Sequence, residues 1–196
     1  MSIATEKPAA KQQLFNVPNQ LTALRLLLSI VLFVFVALEY YLTSMVLFII
    51  AAGTDWADGY WARKYGQVTN VGRIFDPFVD KIIICGTFIF LAAVPGSGIA
   101  AWMAVVVVGR ELLVTALRSY LEGEGADFSA SRSGKLKMVL QCVAAALSLF
   151  ALYRGAERPE ALDWALVASV WGAVLLTLYS GVAYIQRAFV LLRAAA

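Results

Sequence analysis

The sequence contains no histidine, only two cysteines and five prolines, and just 15% charged residues. Without histidine, imidazole acid–base chemistry and histidine ligation of zinc are both excluded. Cys85 and Cys142 lie in separate apolar runs with no Cys-x-x-Cys pair. Neither a redox motif nor a zinc site is therefore expected, and both read as small buried hydrophobes. No internal repeat or low-complexity segment is present in the 196 residues. What fills the chain is hydrocarbon: 61% of residues are hydrophobic and the mean hydropathy is +0.77. That is a membrane composition rather than that of a soluble core. At about 20 residues per crossing plus loops, the length permits one domain of roughly five to seven spans.

Six apolar runs cover residues 21–38, 42–62, 78–94, 99–121, 138–153 and 164–188. They predict an all-α integral membrane fold of six transmembrane helices, with residues 1–20 as a juxtamembrane segment and 21–193 as a single transmembrane domain. Residues 1–13 are polar and no cleavable signal follows them. Leu14, Phe15 and Val17 form a short amphipathic lead-in. Glu39-Tyr40-Tyr41 and Pro95-Gly96-Ser97-Gly98 read as tight links. Residues 65–75, 122–137 and 154–163 read as polar turns or loops. Six spans put both termini on one side, and fourteen of the sixteen Lys and Arg residues fall on or nearer that side. The positive-inside rule makes that side the cytoplasm.

Four of the thirteen acids crowd into 26 positions where the second run ends and the third begins. The stretch reads Asp55-Trp-Ala-Asp58-Gly59-Tyr-Trp-Ala62-Arg63, then Gly72, then Asp76-Pro-Phe-Val-Asp80. An ionised carboxylate beside hydrocarbon is costly unless something compensates it, so four together call for cations. On helices, the i,i+3 pair Asp55/Asp58 shares a face, and so does the i,i+4 pair Asp76/Asp80. Two such helix ends would form an all-oxygen cage suited to two Mg²⁺ or Mn²⁺ ions. A buried ion-pair network is the structural alternative, but cations near the motif are too few for four acids. Gly59 and Ala62 leave room for a ligand or for a packed helix. Arg63 offers a planar fork for phosphate or an interfacial anchor.

Asp-x2-Asp-Gly-x2-Ala-Arg-x8-Gly-x3-Asp-x3-Asp is the signature of the CDP-alcohol phosphotransferases, and every fixed position is filled here. The chain resembles that family of membrane enzymes of phospholipid synthesis. The resemblance implies Asp55, Asp58 and Asp76 as metal ligands, with Asp80 both ligand and general base. It further implies that Gly59, Ala62, Arg63 and Thr69, with Asn19 and Thr22 in a looser match, hold the CDP part of a CDP-diacylglycerol. An acceptor hydroxyl would attack the phosphatidyl phosphorus and CMP would leave. Relatives are homodimers, for which the small residues Gly86, Ala92 and Ala93 would allow close helix packing.

The acceptor is read from the basic residues. Arg110 sits mid-run, where a cation is expensive and faces a cavity or a partner such as Glu111. With Arg118, Arg132, Lys135 and Lys137 it makes a candidate site for an acceptor phosphate. The segments Asn16-Val-Pro-Asn19-x2-Thr22-x2-Arg25, Gly109-Arg-Glu-Leu-Leu-Val-Thr-x2-Arg118 and Ser131-Arg-x-Gly134-Lys-x-Lys137 resemble the bacterial phosphatidylglycerophosphate-forming branch of the family. Glycerol 3-phosphate is then the implied acceptor, with inositol phosphate, serine or phosphatidylglycerol as alternatives within the same chemistry. The implied setting is a bacterial inner membrane with the site facing the cytoplasm and no nucleic-acid partner. Arg25, just inside the first run, either snorkels to headgroups or faces the cavity. A divalent-cation transporter is the competing class. It would need polar residues reaching both faces, whereas here the acids gather at one end and the basic set would repel a cation.

Overall fold

The computed structural model describes residues 17–65, 70–123 and 132–195. At some helical positions, among them 55–65 and 70–74, it describes the backbone alone. Among the described residues there is no strand. Six α-helices follow one another: α1 (Val17–Ala37), α2 (Tyr41–Tyr65), α3 (Asn70–Ala92), α4 (Ala101–Gly123), α5 (Arg132–Arg154) and α6 (Glu160–Ala195). A short 3-10 turn, Gly155–Glu157, precedes α6.

Each helix begins or ends beyond its apolar run, because interfacial polar residues extend a hydrogen-bonded helix as readily as apolar ones do. Two loops read from the sequence shrink accordingly. Of the turn expected over 65–75, Tyr65 belongs to α2 and residues 70–75 to α3, while 66–69 lie outside the described residues. Of the polar loop expected over 122–137, residues 122–123 belong to α4, and Arg132, Lys135 and Lys137 belong to α5; 124–131 lie outside the described residues. Residues 19–22 likewise fall in the first turns of α1, where Pro18 costs no intrahelical bond. Pro77 lies inside α3 between two motif aspartates, and the helix continues through it without the bond to the Arg73 carbonyl.

Among the described residues three helical segments, Gln20–Ala37, Leu136–Glu157 and Glu160–Leu191, are long and apolar enough to cross a membrane, and Tyr41–Thr54 is a shorter apolar one. Arg110 and Glu111 interrupt α4, and Asp76, Asp80 and Lys81 interrupt α3. Large aliphatics such as Leu27, Val105, Leu112, Leu175 and Val190 face outward, while Ala144, Ala145, Ala173, Ser29, Ser44 and Thr177 are fully buried. Small residues inside and hydrocarbon outside is how helices pack when lipid, not water, is the solvent. The buried hydroxyls return their hydrogen bonds to their own helices: Ser29 to the Leu26 carbonyl at 2.7 Å and Thr87 to that of Ile83 at 2.7 Å. No polar hydrogen is thereby left facing hydrocarbon at these positions.

Helix α1 packs on α2 and α3, α4 packs on α3 and α6, and α5 packs on α2, α3 and α6. Among the described residues α4 and α5 make no close backbone approach to each other. Phe33 of α1 stacks on Phe90 at 5.0 Å and lies over Gly86, where a Cβ would come within 2.2 Å of its ring. Gly86 thus serves the packing of α1 on α3 within one chain. The turn between α3 and α4 needs its glycines, since Gly96 and Gly98 hold φ of 83° and 74°. Ser148 of α5 donates to the Ser97 carbonyl at 2.7 Å, and Arg158 donates to that of Gly96 at 3.2 Å. These bonds fasten the turn to α5 and to the segment before α6.

Candidate active site

Asp55 and Asp58 lie in the C-terminal half of α2, Asp76 and Asp80 in the N-terminal half of α3. The two helices touch, with one aspartate pair toward the end of α2 and the other toward the start of α3. Gly59, Ala62 and Arg63 occupy the last turns of α2. The side chains of Asn19, Asp55, Asp58, Ala62, Arg63 and Asp76 lie outside the described residues, and so does the whole of Thr69. Among the described residues no group of three or more acids, cysteines or histidines comes together. That set includes one motif aspartate, Asp80.

Asp80 is paired. Its Oδ1 accepts a hydrogen bond from Arg25 Nη1 at 2.7 Å, with the two side chains 24% and 1% exposed. Arg25 therefore does not snorkel: α1 carries its guanidinium inward to α3. Thr22, three residues earlier on α1, is also buried, so one face of α1 brings both toward α3. The sequence marked Arg25 as a cation in an apolar run but did not name its partner. Nor was it counted among the cations near the acidic motif, because 55 positions separate it from Asp80.

A second charged cluster joins three helices. Arg110 Nη1 donates to Glu111 Oε1 at 3.3 Å, and Lys137 Nζ of α5 donates to the same oxygen. Arg110 Nε donates to Ser180 Oγ of α6 at 3.2 Å, and its guanidinium carbon lies 5.3 Å from the Tyr184 ring centre. The last is a cation–π contact. The side chains of Arg110, Glu111 and Lys137 are 9%, 13% and 5% exposed. Arg118, two turns further along α4, is half-buried, and its Nε has no hydrogen-bond partner among the described residues. Arg132 and Lys135 lie in the first turn of α5, with side chains outside the described set. Glu111, Ser180 and Tyr184 are the members of this cluster absent from the expected site. The sequence named Glu111 as a possible partner of Arg110, and the two are paired. Its second partner, Lys137 of α5, was not foreseen.

The sequence profile of the CDP-alcohol phosphatidyltransferase family matches residues 15–179. The chain belongs to this family. As a CDP-alcohol phosphotransferase it is an enzyme, which retires the transport alternative. It is similar to the protein named CDP-diacylglycerol--glycerol-3-phosphate 3-phosphatidyltransferase of Bacillus subtilis (strain 168), 33% identical over 189 residues. Proteins of the same name from Salmonella choleraesuis (strain SC-B67) and Escherichia coli (strain K12) are 32% and 30% identical over 184 residues. Each of these alignments spans 89% of this chain and 95% of the relative.

Proposed function

We propose that this phosphotransferase moves the phosphatidyl group of CDP-diacylglycerol to a hydroxyl of sn-glycerol 3-phosphate, forming phosphatidylglycerophosphate and releasing CMP. The observation that carries the choice of acceptor is the pair of cations on one acid. Arg110 and Lys137 share Glu111, so the cluster keeps a net positive charge in a nearly enclosed place. A surplus buried charge is costly unless an anion arrives to meet it, and an acceptor phosphate is such an anion. Three relatives named for the same acceptor support the reading.

In this reading Asp80 accepts the proton of the acceptor hydroxyl. The oxygen bonds to the phosphatidyl phosphorus, the bond from that phosphorus to the CMP oxygen breaks, and CMP takes the electron pair. Arg25 compensates the Asp80 carboxylate and fixes its orientation through α1. Asn19, Thr22, Gly59, Ala62, Arg63 and Thr69 hold the CDP part, with Gly59 and Ala62 giving room and Arg63 a fork of donors. The donor chemistry fits two hard divalent ions, Mg²⁺ or Mn²⁺, since Asp55, Asp58, Asp76 and Asp80 offer only carboxylate oxygen. When bound, such ions neutralise charge on the diphosphate. Six membrane crossings, a site open to the cytoplasm and a homodimer complete the proposal.

The test is transfer of labelled glycerol 3-phosphate into chloroform-extractable lipid by purified protein in detergent with Mg²⁺. Label should enter lipid only when CDP-diacylglycerol is present. Lipid labelling without the nucleotide, or none with it, would contradict the proposal.

A further inference from the structure

Glu111 accepts from cations on both sides of a gap. Helices α4 and α5 do not pack on each other among the described residues, whereas α3 and α6 each pack on both. The side chains of Glu111 and Lys137 bridge the space that α3 and α6 flank. On the α6 side, Ser180 and the Tyr184 ring fix the Arg110 guanidinium. These contacts use two of the five N–H donors of Arg110 and one of the three of Lys137. Donors remain on both cations for a phosphate.

We propose that Glu111 is a positioning residue for the acceptor. Its carboxylate holds the Lys137 ammonium and the Arg110 guanidinium, from two helices, as one fixed pair of cations across the α4–α5 gap. The inference deepens the reading above and rests on its acceptor assignment. The two cations repel each other and both stems are flexible, so without the shared carboxylate they separate. The acceptor phosphate then has to gather them itself, and that cost appears in its binding. Glu111 need not touch the substrate for this effect.

The experiment measures KM for glycerol 3-phosphate and for CDP-diacylglycerol in wild type, Glu111→Gln and Glu111→Asp. With Gln, the acceptor KM should rise about tenfold while that of the lipid nucleotide stays within about twofold. With Asp, which keeps the charge but withdraws it by one methylene, the acceptor KM should rise about threefold. An unchanged acceptor KM in folded Glu111→Gln overturns the inference. So does a parallel change in both KM values and kcat, which is the pattern of a merely structural residue. If Glu111→Gln does not accumulate, Glu111→Asp decides by the same split. If the wild type ignores glycerol 3-phosphate but releases CMP with another acceptor, the acceptor assignment has failed. The split is then read on the acceptor that works: a shift keeps the role of Glu111, and no shift removes it.

Discussion

Two arginines are buried among the helices and neutralised in different ways. Arg25 has Asp80 as its acid, so that described pair is balanced. Arg110 shares Glu111 with Lys137, so among the described residues the cluster on α4 and α5 sets two cations against one acid. The Arg25–Asp80 bond is suited to holding Asp80 in one orientation. In the proposed reading an anion completes the cluster around Glu111.

Removing the acid from the balanced pair should have the largest effect. In Asp80→Asn, kcat should fall by about a thousandfold, the scale of lost general-base catalysis, while CDP-diacylglycerol still binds. Rapid-quench CMP release and equilibrium binding of the lipid nucleotide check the two halves. Turnover near the wild-type level would remove Asp80 as the base.

Removing the cation instead leaves the Asp80 carboxylate without its described partner. Arg25→Met should cost about 3 kcal/mol of stability, as broken buried pairs do, and should lower kcat with it. Thermal unfolding in detergent reads the first effect and turnover the second. Wild-type stability would show that the pair is not a unit.

In the unbalanced cluster the effect should fall on one substrate. Arg110→Ala should raise the acceptor KM about tenfold and leave that of the lipid nucleotide nearly unchanged. Equal rises in both would make Arg110 structural. Smallest of all should be the loss of a neutral bond beside that cluster, Gln141 Nε2 to Thr177 Oγ1 at 3.0 Å between α5 and α6. Gln141→Leu should cost about 0.6 kcal/mol, the average for such bonds between membrane helices. A large drop in unfolding temperature would mean that neutral bonds, not charges, organise this face.

The same contrast shows what could be read from the sequence. Helix number and order follow from hydropathy, because each apolar run is a local property of the chain. Helix ends were less legible. Residues 132–137 look like a loop by polarity, yet they extend α5, since backbone hydrogen bonds close a helix whether its side chains are polar or apolar. The acidic motif was visible because Asp55, Asp58, Asp76 and Asp80 lie close together in the chain. The Arg25–Asp80 pair joins residues 55 positions apart, and Lys137 reaches Glu111 across 26. Hydropathy carries no record of which two helices approach. Gly86 shows the same limit: it looked like a contact for a second chain, whereas Phe33 of its own chain covers it.

The most direct measurement is CMP release by the purified protein with CDP-diacylglycerol and Mg²⁺ against a panel of acceptors. The panel holds glycerol 3-phosphate, inositol 1-phosphate, serine and phosphatidylglycerol. Release with glycerol 3-phosphate alone is the predicted result, since its small phosphomonoester suits the two cations that share Glu111. Release with serine or phosphatidylglycerol, and none with glycerol 3-phosphate, would contradict the account.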